Sequence, residues 1–459
     1  MRVQVTLFLL LGLGSMSWDS GRQSRARSSA NVSFEEKRLN VVPEGLELSV
    51  QFRPVLFSED GRAAALIAQK NGKSLVLVGD MLGRAYDEIH DLVISQDHQT
   101  VAYVAGHGRK MCVVVGEKPG REYDEVAEFP KPAFSPHGNE IVYVAREGPF
   151  WFLVRGEKEG DLFAAIDGET VWSPDGKELA FIGYSADMKW RVVAGAREKK
   201  EYDRIHDMVY SPDGRSLAYG ARDGQSSFLI QDGVKKSPPF DRVWGPVFSP
   251  DGKTIAYKAQ KGTRKFIVVG DKKGEEFEDI SGAVFSADGS TVASQGFVEG
   301  RGHMITGNRR GTGYDYLGRF EFRAQGNELV YIAKRRDKMI LVVGDREEGE
   351  EHDFITDFAL SPDGKTIACV VKDGGQIRLV LGGAKEDPFE DVRWPTFSPD
   401  GKRFAYIAVT ARREVLVVGG RRSPVFDQVF EPVFSADGRR VAFGVLSGRE
   451  VWWKVLNLD

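Results

Sequence analysis

Apolar residues along this chain come in short runs, not at helical spacing. From about residue 46 onward, runs of four to six apolar residues alternate with polar turns. Many positions in these runs are β-branched or aromatic, which favours strands over helices. One stretch shows the unit clearly. Pro246-Val-Phe-Ser249 is a short apolar strand and leads into the turn Ser249-Pro-Asp-Gly252. Thr254–Ala259 is a second strand, and a polar hairpin leads to a third at Phe266–Gly270. A short fourth strand is expected to start at an aromatic–acid pair, here Phe277-Glu278. The turn chemistry is specific. Proline presets φ, aspartate bonds to nearby backbone, and glycine accepts positive φ.

The unit recurs along the chain. Its turn appears at Ser58, Ser95, Ser135, Ser173, Ser211, Ser249 and Ser286, then in degenerate form at Arg323, then at Ser361, Ser398 and Ser435. The mean spacing is about 38 residues, with steps of 37 to 40. Four strands per unit, repeated eleven times, predict an all-β protein, a β-propeller of four-stranded blades. Eleven blades exceed the usual ring size of about four to eight. Two arrangements fit: two stacked rings, favoured slightly by size, or one large ring. The degenerate unit at Phe322 and a two-residue insertion before Phe134 are candidate seams. The last unit stops after three strands. Leu46–Phe52 stands where a fourth belongs, so an N-terminal strand is expected to close the C-terminal blade and remove two open edges.

The repeat Ser-Pro-Asp-Gly-Lys-x-Ile-Ala-Tyr, as at Ser249–Tyr257, resembles the TolB-like (WD-like) propeller repeat of bacterial proteins. The match runs through residues 47–459. The resemblance implies the propeller fold and, in TolB itself, partner binding in the periplasm. It carries no functional residue to any position of this chain. The separate N-terminal α/β domain of TolB has no counterpart here.

Composition adds limits. Glycine makes up 52 of 459 residues, about 11% against an average of roughly 7%. Twenty of these glycines close the repeated turns or end the third strands. Lys and Arg total 63 against 67 Asp and Glu, a net −4, so no nucleic-acid partner is expected. Two cysteines, Cys112 and Cys369, suffice for neither a disulfide scaffold nor a zinc site. The N-terminus has Arg2 and then an apolar run, Val5–Leu13, with Ser15 and Ser17 two residues apart. Residues 1–17 are read as a signal peptide, too short to span a bilayer, and the mature chain is expected to be exported with no transmembrane segment. The competing reading starts the protein at Met16 and leaves it cytoplasmic. Residues 18–45 are read as a flexible lead-in, and 46–459 as the repeat array.

Motifs for nucleotide binding, zinc proteases and serine hydrolases are absent. Gly252-Lys-Thr254 resembles the end of a P-loop but lacks the upstream glycine. The apolar first strands, such as Ala283-Val-Phe285, argue against a channel metal or acid–base pair, so no cofactor, metal or catalytic residue is expected. The candidate binding residues lie just before these strands and are read as a loop rim: His90, Asp91, Glu169, His206, Asp207, Trp244, Asp357, Trp394 and Glu431. The plainer alternative is that they are solvated loop residues. The leading functional expectation is a non-catalytic scaffold for protein or peptide. The alternatives are a propeller lyase or hydrolase, or a carbohydrate-binding module.

Overall fold

Blade six shows how the repeat folds. Arg242–Phe248, Ile255–Lys261, Arg264–Val269 and Lys272–Lys273 pair in that order, all antiparallel. A bridge from Phe277 back to Lys265 extends the fourth strand, so the aromatic of the aromatic–acid pair ends a blade instead of starting its last strand. The acid that follows leads into the next blade. The computed structural model describes residues 34–48, 55–58, 64–195, 200–324 and 326–458, except for the side chain of Glu169. Among these residues there are eleven such sheets and no helix.

The turn after each first strand is held by one repeated network. The serine Oγ donates to the aspartate Oδ1 at 2.6–2.7 Å in eight blades. It also accepts the backbone N–H five residues on, as from Thr254 at 3.0 Å. The degenerate turn keeps its shape differently. Arg323 N–H bonds the Glu328 carbonyl, and its guanidinium pairs with the Glu328 carboxylate at 3.3 Å. Gly252 has φ +72°, and a Cβ there would stand 3.6 Å from Pro212 of the preceding turn, so neighbouring turns touch.

Blades pack large against small. A second-strand tyrosine of one blade lies in the same buried cluster as a second-strand alanine of the blade before it. Tyr219 meets Ala180, Tyr257 meets Ala218, and Tyr406 meets Ala368. This pairing of large with small side chains lets twisted sheets pack closely. Cys369 takes the tyrosine position against Val330, where its buried thiol packs as a small apolar group.

The eleven blades form one closed ring. Neither candidate seam interrupts it. The Phe322 unit packs on both neighbours. The insertion before Phe134 instead splits the first strand of blade three into Glu125–Val126 and Ala133–Phe134. Blades eleven and one share a core that contains Val451 and Trp453 with Val55, Leu66 and Leu77.

The closing strand is Phe34–Val41, not Leu46–Phe52. It pairs antiparallel with the last strand, Phe34 opposite Leu456 and Val41 opposite Glu450. Lys454 reaches Glu36 at 2.5 Å, and Arg38 reaches Glu450 at 3.1 Å. Glu47–Leu48 instead opens the first strand of blade one against Ala68 and Gln69. Part of the expected lead-in is therefore structural. Its charges, Glu35–Arg38, suit the exposed outer edge of a blade. The expected signal segment, 1–17, lies outside the described residues.

Candidate functional site

The innermost strands are longer than the sequence suggested, and most are broken by a β-bulge. In blade two the strand is Glu88–Ile94, with the register slipping between His90 and Val93. The same slip falls between His206 and Val209, Trp244 and Val247, Ser281 and Val284, and Arg393 and Thr396. The bulged residue takes positive φ at Asp91 (+55°), Asp207 (+57°), Gly245 (+57°), Gly282 (+63°) and Trp394 (+48°). Glycine and aspartate tolerate this conformation, but tryptophan rarely adopts it. First strands of successive blades lie against each other, as Arg204–Tyr210 does against Arg242–Phe248, so the bulges form a girdle around the ring axis.

All the candidate residues but Glu431 thus lie within the inner strands, not in loops leading to them. His90 and Asp91 belong to Glu88–Ile94, and His206 and Asp207 to Arg204–Tyr210. Trp244 lies in Arg242–Phe248, Asp357 in Phe354–Leu360 and Trp394 in Asp391–Phe397. Glu169 is in Ala165–Trp172, with its side chain outside what is described. Glu431 is exposed, in the break between Gln428–Val429 and Val433–Phe434. The apolar triplets that argued against a charged channel are only the distal halves of these strands.

Most girdle charges pair with the next blade. Asp91 accepts from His90 Nδ1 at 2.8 Å and meets Lys131 of blade three at 2.5 Å. The His90 pKa is raised, chiefly by this carboxylate and against the effect of burial. Burial pushes Asp91 up, but hydrogen bonds from His90 and Lys131 outweigh it and leave its pKa below the usual carboxylate value. Asp207 accepts from His206 Nδ1 at 2.9 Å and from the Gly245 N–H of blade six at 2.9 Å. The His206 hydrogen bond is the main cause of its lowered pKa. Asp357 takes a 2.6 Å bond from Arg319 of blade eight, which also reaches the Phe358 carbonyl at 3.1 Å. Trp244 has cations near its ring, Arg242 at 4.8 Å and Lys258 at 5.7 Å from the centroid. Trp394 packs partly into the core shared by blades ten and eleven. The two His–Asp pairs do not meet one another. No group of three His, Cys, Asp or Glu among the described residues is placed to hold a metal ion.

Two girdle residues escaped the sequence reading. Arg319 occupies the Asp91 position in the degenerate unit, and repeat spacing alone would have located it. Phe129, 71% exposed in the break of blade three's inner strand, is the product of the insertion. The aromatic–acid pairs are structural. Asp203 caps the Gly224 N–H at 2.6 Å, and Asp241 caps Gly262 at 2.6 Å, each across the hairpin of the following blade.

No family model matches the chain. None of the curated proteins compared with it matches either. Among solved structures that match is one described as "Structure of Dos1 propeller". It is 13% identical, with a TM-score of 0.33, and the match covers 63% of this chain and 93% of that one.

Proposed function

We propose that this protein is a non-catalytic β-propeller scaffold that binds a protein or peptide at the bulge girdle. Propellers commonly serve as rigid platforms for protein interactions, with a repeated frame and varied exposed positions. One observation carries the reading. The bulged residue repeats its positive φ in five blades while its side chain changes among Asp91, Asp207, Gly245, Gly282 and Trp394. A frame kept constant under changing polar and aromatic groups suits recognition of an irregular polypeptide surface. Trp394 adds a strained aromatic, and such strain clusters at ligand sites. The TolB-like repeat and the apolar run Val5–Leu13 support placing this scaffold outside the cytoplasm, after cleavage of residues 1–17.

The test is site-specific photo-crosslinking of the full chain in cells of its source. A crosslinker at Phe129 or Trp394 should trap a discrete partner, and one at Val425 on the outer edge should not. Trp394→Ala should weaken capture several-fold. Equal crosslinking at all three positions, or undiminished capture by the variant, would refute the girdle as the binding face. Retention of residues 1–17 in the mature protein, read by N-terminal sequencing, would refute export.

A further inference from the structure

Blade five breaks a rule that its neighbours keep. Near the start of each inner strand, one residue faces a partner on the second strand directly across the ladder. In blade three these are Glu125 and Arg146, an ion pair at 2.8 Å. In blade eight they are Tyr316 and Lys334, and in blade nine Phe354 and Lys372. In blade five they are Arg204 and Arg222. Like charges placed directly opposite are destabilising, and among the described residues no other blade sets two cations here. Arg242, the counterpart of Arg204 in blade six, brings a third guanidinium.

All three arginines line one cleft of about 520 Å³ between blades five and six. Among the described residues no carboxylate makes a close ion pair with them, although Asp203 feels the Arg222 charge. Arg204 makes no hydrogen bond or ion pair among the described residues. Arg222 reaches only the Gly224 carbonyl, at 3.1 Å. Arg242 lies over the Trp244 ring. Two carboxylates share the cleft, but both face other groups. Asp207 is held by His206 and the Gly245 amide. Asp241 is held by the Gly262 amide, with Lys261 at 3.8 Å.

We propose that this cleft binds a compact tetrahedral oxyanion, a phosphoryl or sulfuryl group carried on a small polar molecule. Planar guanidinium forks suit such a group, because each presents parallel donors to two of its oxygens. The volume lies in the range of small-molecule sites, so the anion has room for a substituent. The bound group removes the repulsion between Arg204 and Arg222. The cleft borders the girdle and shares His206 and Asp207 with it, but anion binding by the three arginines requires no partner there.

The test is calorimetric titration of the full chain with sodium orthophosphate, then sulfate, then acetate, each against sodium chloride at matched ionic strength. Orthophosphate or sulfate should bind saturably at one site, and acetate at least about tenfold more weakly. Arg204→Ala and Arg222→Ala should each weaken binding by about tenfold or more, the worth of a charge-assisted hydrogen bond. Lys236→Ala, the same charge change on the exposed outer part of blade five, should leave it unchanged. Without phosphate the Arg222→Ala protein should melt no lower than wild type, because it loses a repulsion. Arg242→Ala supplies the same test from blade six if a blade-five variant fails to fold. Orthophosphate heats equal to chloride, acetate binding as tight as phosphate, or full affinity in the arginine variants would each overturn the proposal.

Discussion

The ring carries two concentric sets of repeated positions, and they treat variation in opposite ways. In the turn set, serine and aspartate recur nearly unchanged, with Oγ–Oδ1 distances that differ by 0.1 Å across eight blades. In the bulge set, the backbone recurs and the side chain does not. The serine–aspartate bonds close within their own blade, and an added asparagine, Asn139 on Asp97 or Asn327 on Asp288, reaches in from the next turn. Bulge contacts cross to the next blade, as Asp91 to Lys131 and Arg319 to Asp357. Positions that serve only the blade converge on one solution. Positions between blades tolerate many, provided neighbours match, and so are free to acquire recognition.

The largest way to break this contrast is to open the ring. A chain lacking Phe34–Val41 leaves the last strand as an exposed edge and, without Leu39, uncovers the shared core at Trp453. Both sets should fail together. Size-exclusion chromatography should show self-association, and guanidinium denaturation a broad, early transition. Next, Ser398→Ala removes a fully buried hydroxyl that donates to Asp400 and accepts from Arg403. Equilibrium unfolding should show a loss of about 1–3 kcal/mol. Crosslinking at Trp394 should be unaffected, because the turn does not touch the girdle.

Acid should weaken both sets, through Asp175 and Asp91, whereas alkali should reach the bulge set through His90. The Ser173 hydroxyl and the Lys177 amide lower Asp175 from its ordinary value of 3.8 to about 2. Its folded value is lower than its unfolded one. The turn's contribution is therefore present above the unfolded value and is lost as pH falls from about 4 through about 2. His90 behaves oppositely. Its folded pKa is raised above the ordinary 6.5, so the His90–Asp91 contribution is full below that value and is lost as pH rises through the raised one. Thermal melts across pH should show both declines. His90→Gln should flatten the alkaline decline and, because His90 also helps lower Asp91, shave only a little from the acid one.

Smaller effects sharpen the girdle itself. Arg319→Met severs ties to Asp357, Glu321 and the Phe358 carbonyl, but the side chain is about half exposed. Stability should fall by roughly 1 kcal/mol or less, below the Ser398 variant, and partner capture should fall more than stability does. Lys118→Ala, on an exposed outer-edge pair with Glu157, should change neither measurably.

Local chemistry made the blades legible in the sequence. The Ser249-Pro-Asp-Gly252 turn fixes its own geometry, and Tyr257 beside Ala256 shows a strand buried on both faces. Ring closure was legible in kind but not in place. Leu46–Phe52 alternates apolar residues more convincingly than Phe34-Glu-Glu-Lys-Arg38, yet an outer strand needs only one apolar face. The bulge was hidden because slipped register interrupts the alternation by which a strand is recognised. His90 and Asp91 therefore read as the end of a loop. The count of rings was not legible at all. It depends on the small rotation between packed sheets, set by many Tyr–Ala contacts that no single motif reports.

The position of Phe34–Val41 also governs how the protein is made. Its partner, Glu450–Asn457, leaves the ribosome only after the blades between them. Throughout synthesis the first strand must wait without its mate while ten blades gather behind it. Contacts this distant in sequence form slowly, and a waiting strand is open to pairing with another nascent chain. The run Glu35-Glu36-Lys37-Arg38, which disguised the strand as a tail, protects it during that interval. Charges that look like an absence of structure act as a guard on structure not yet complete.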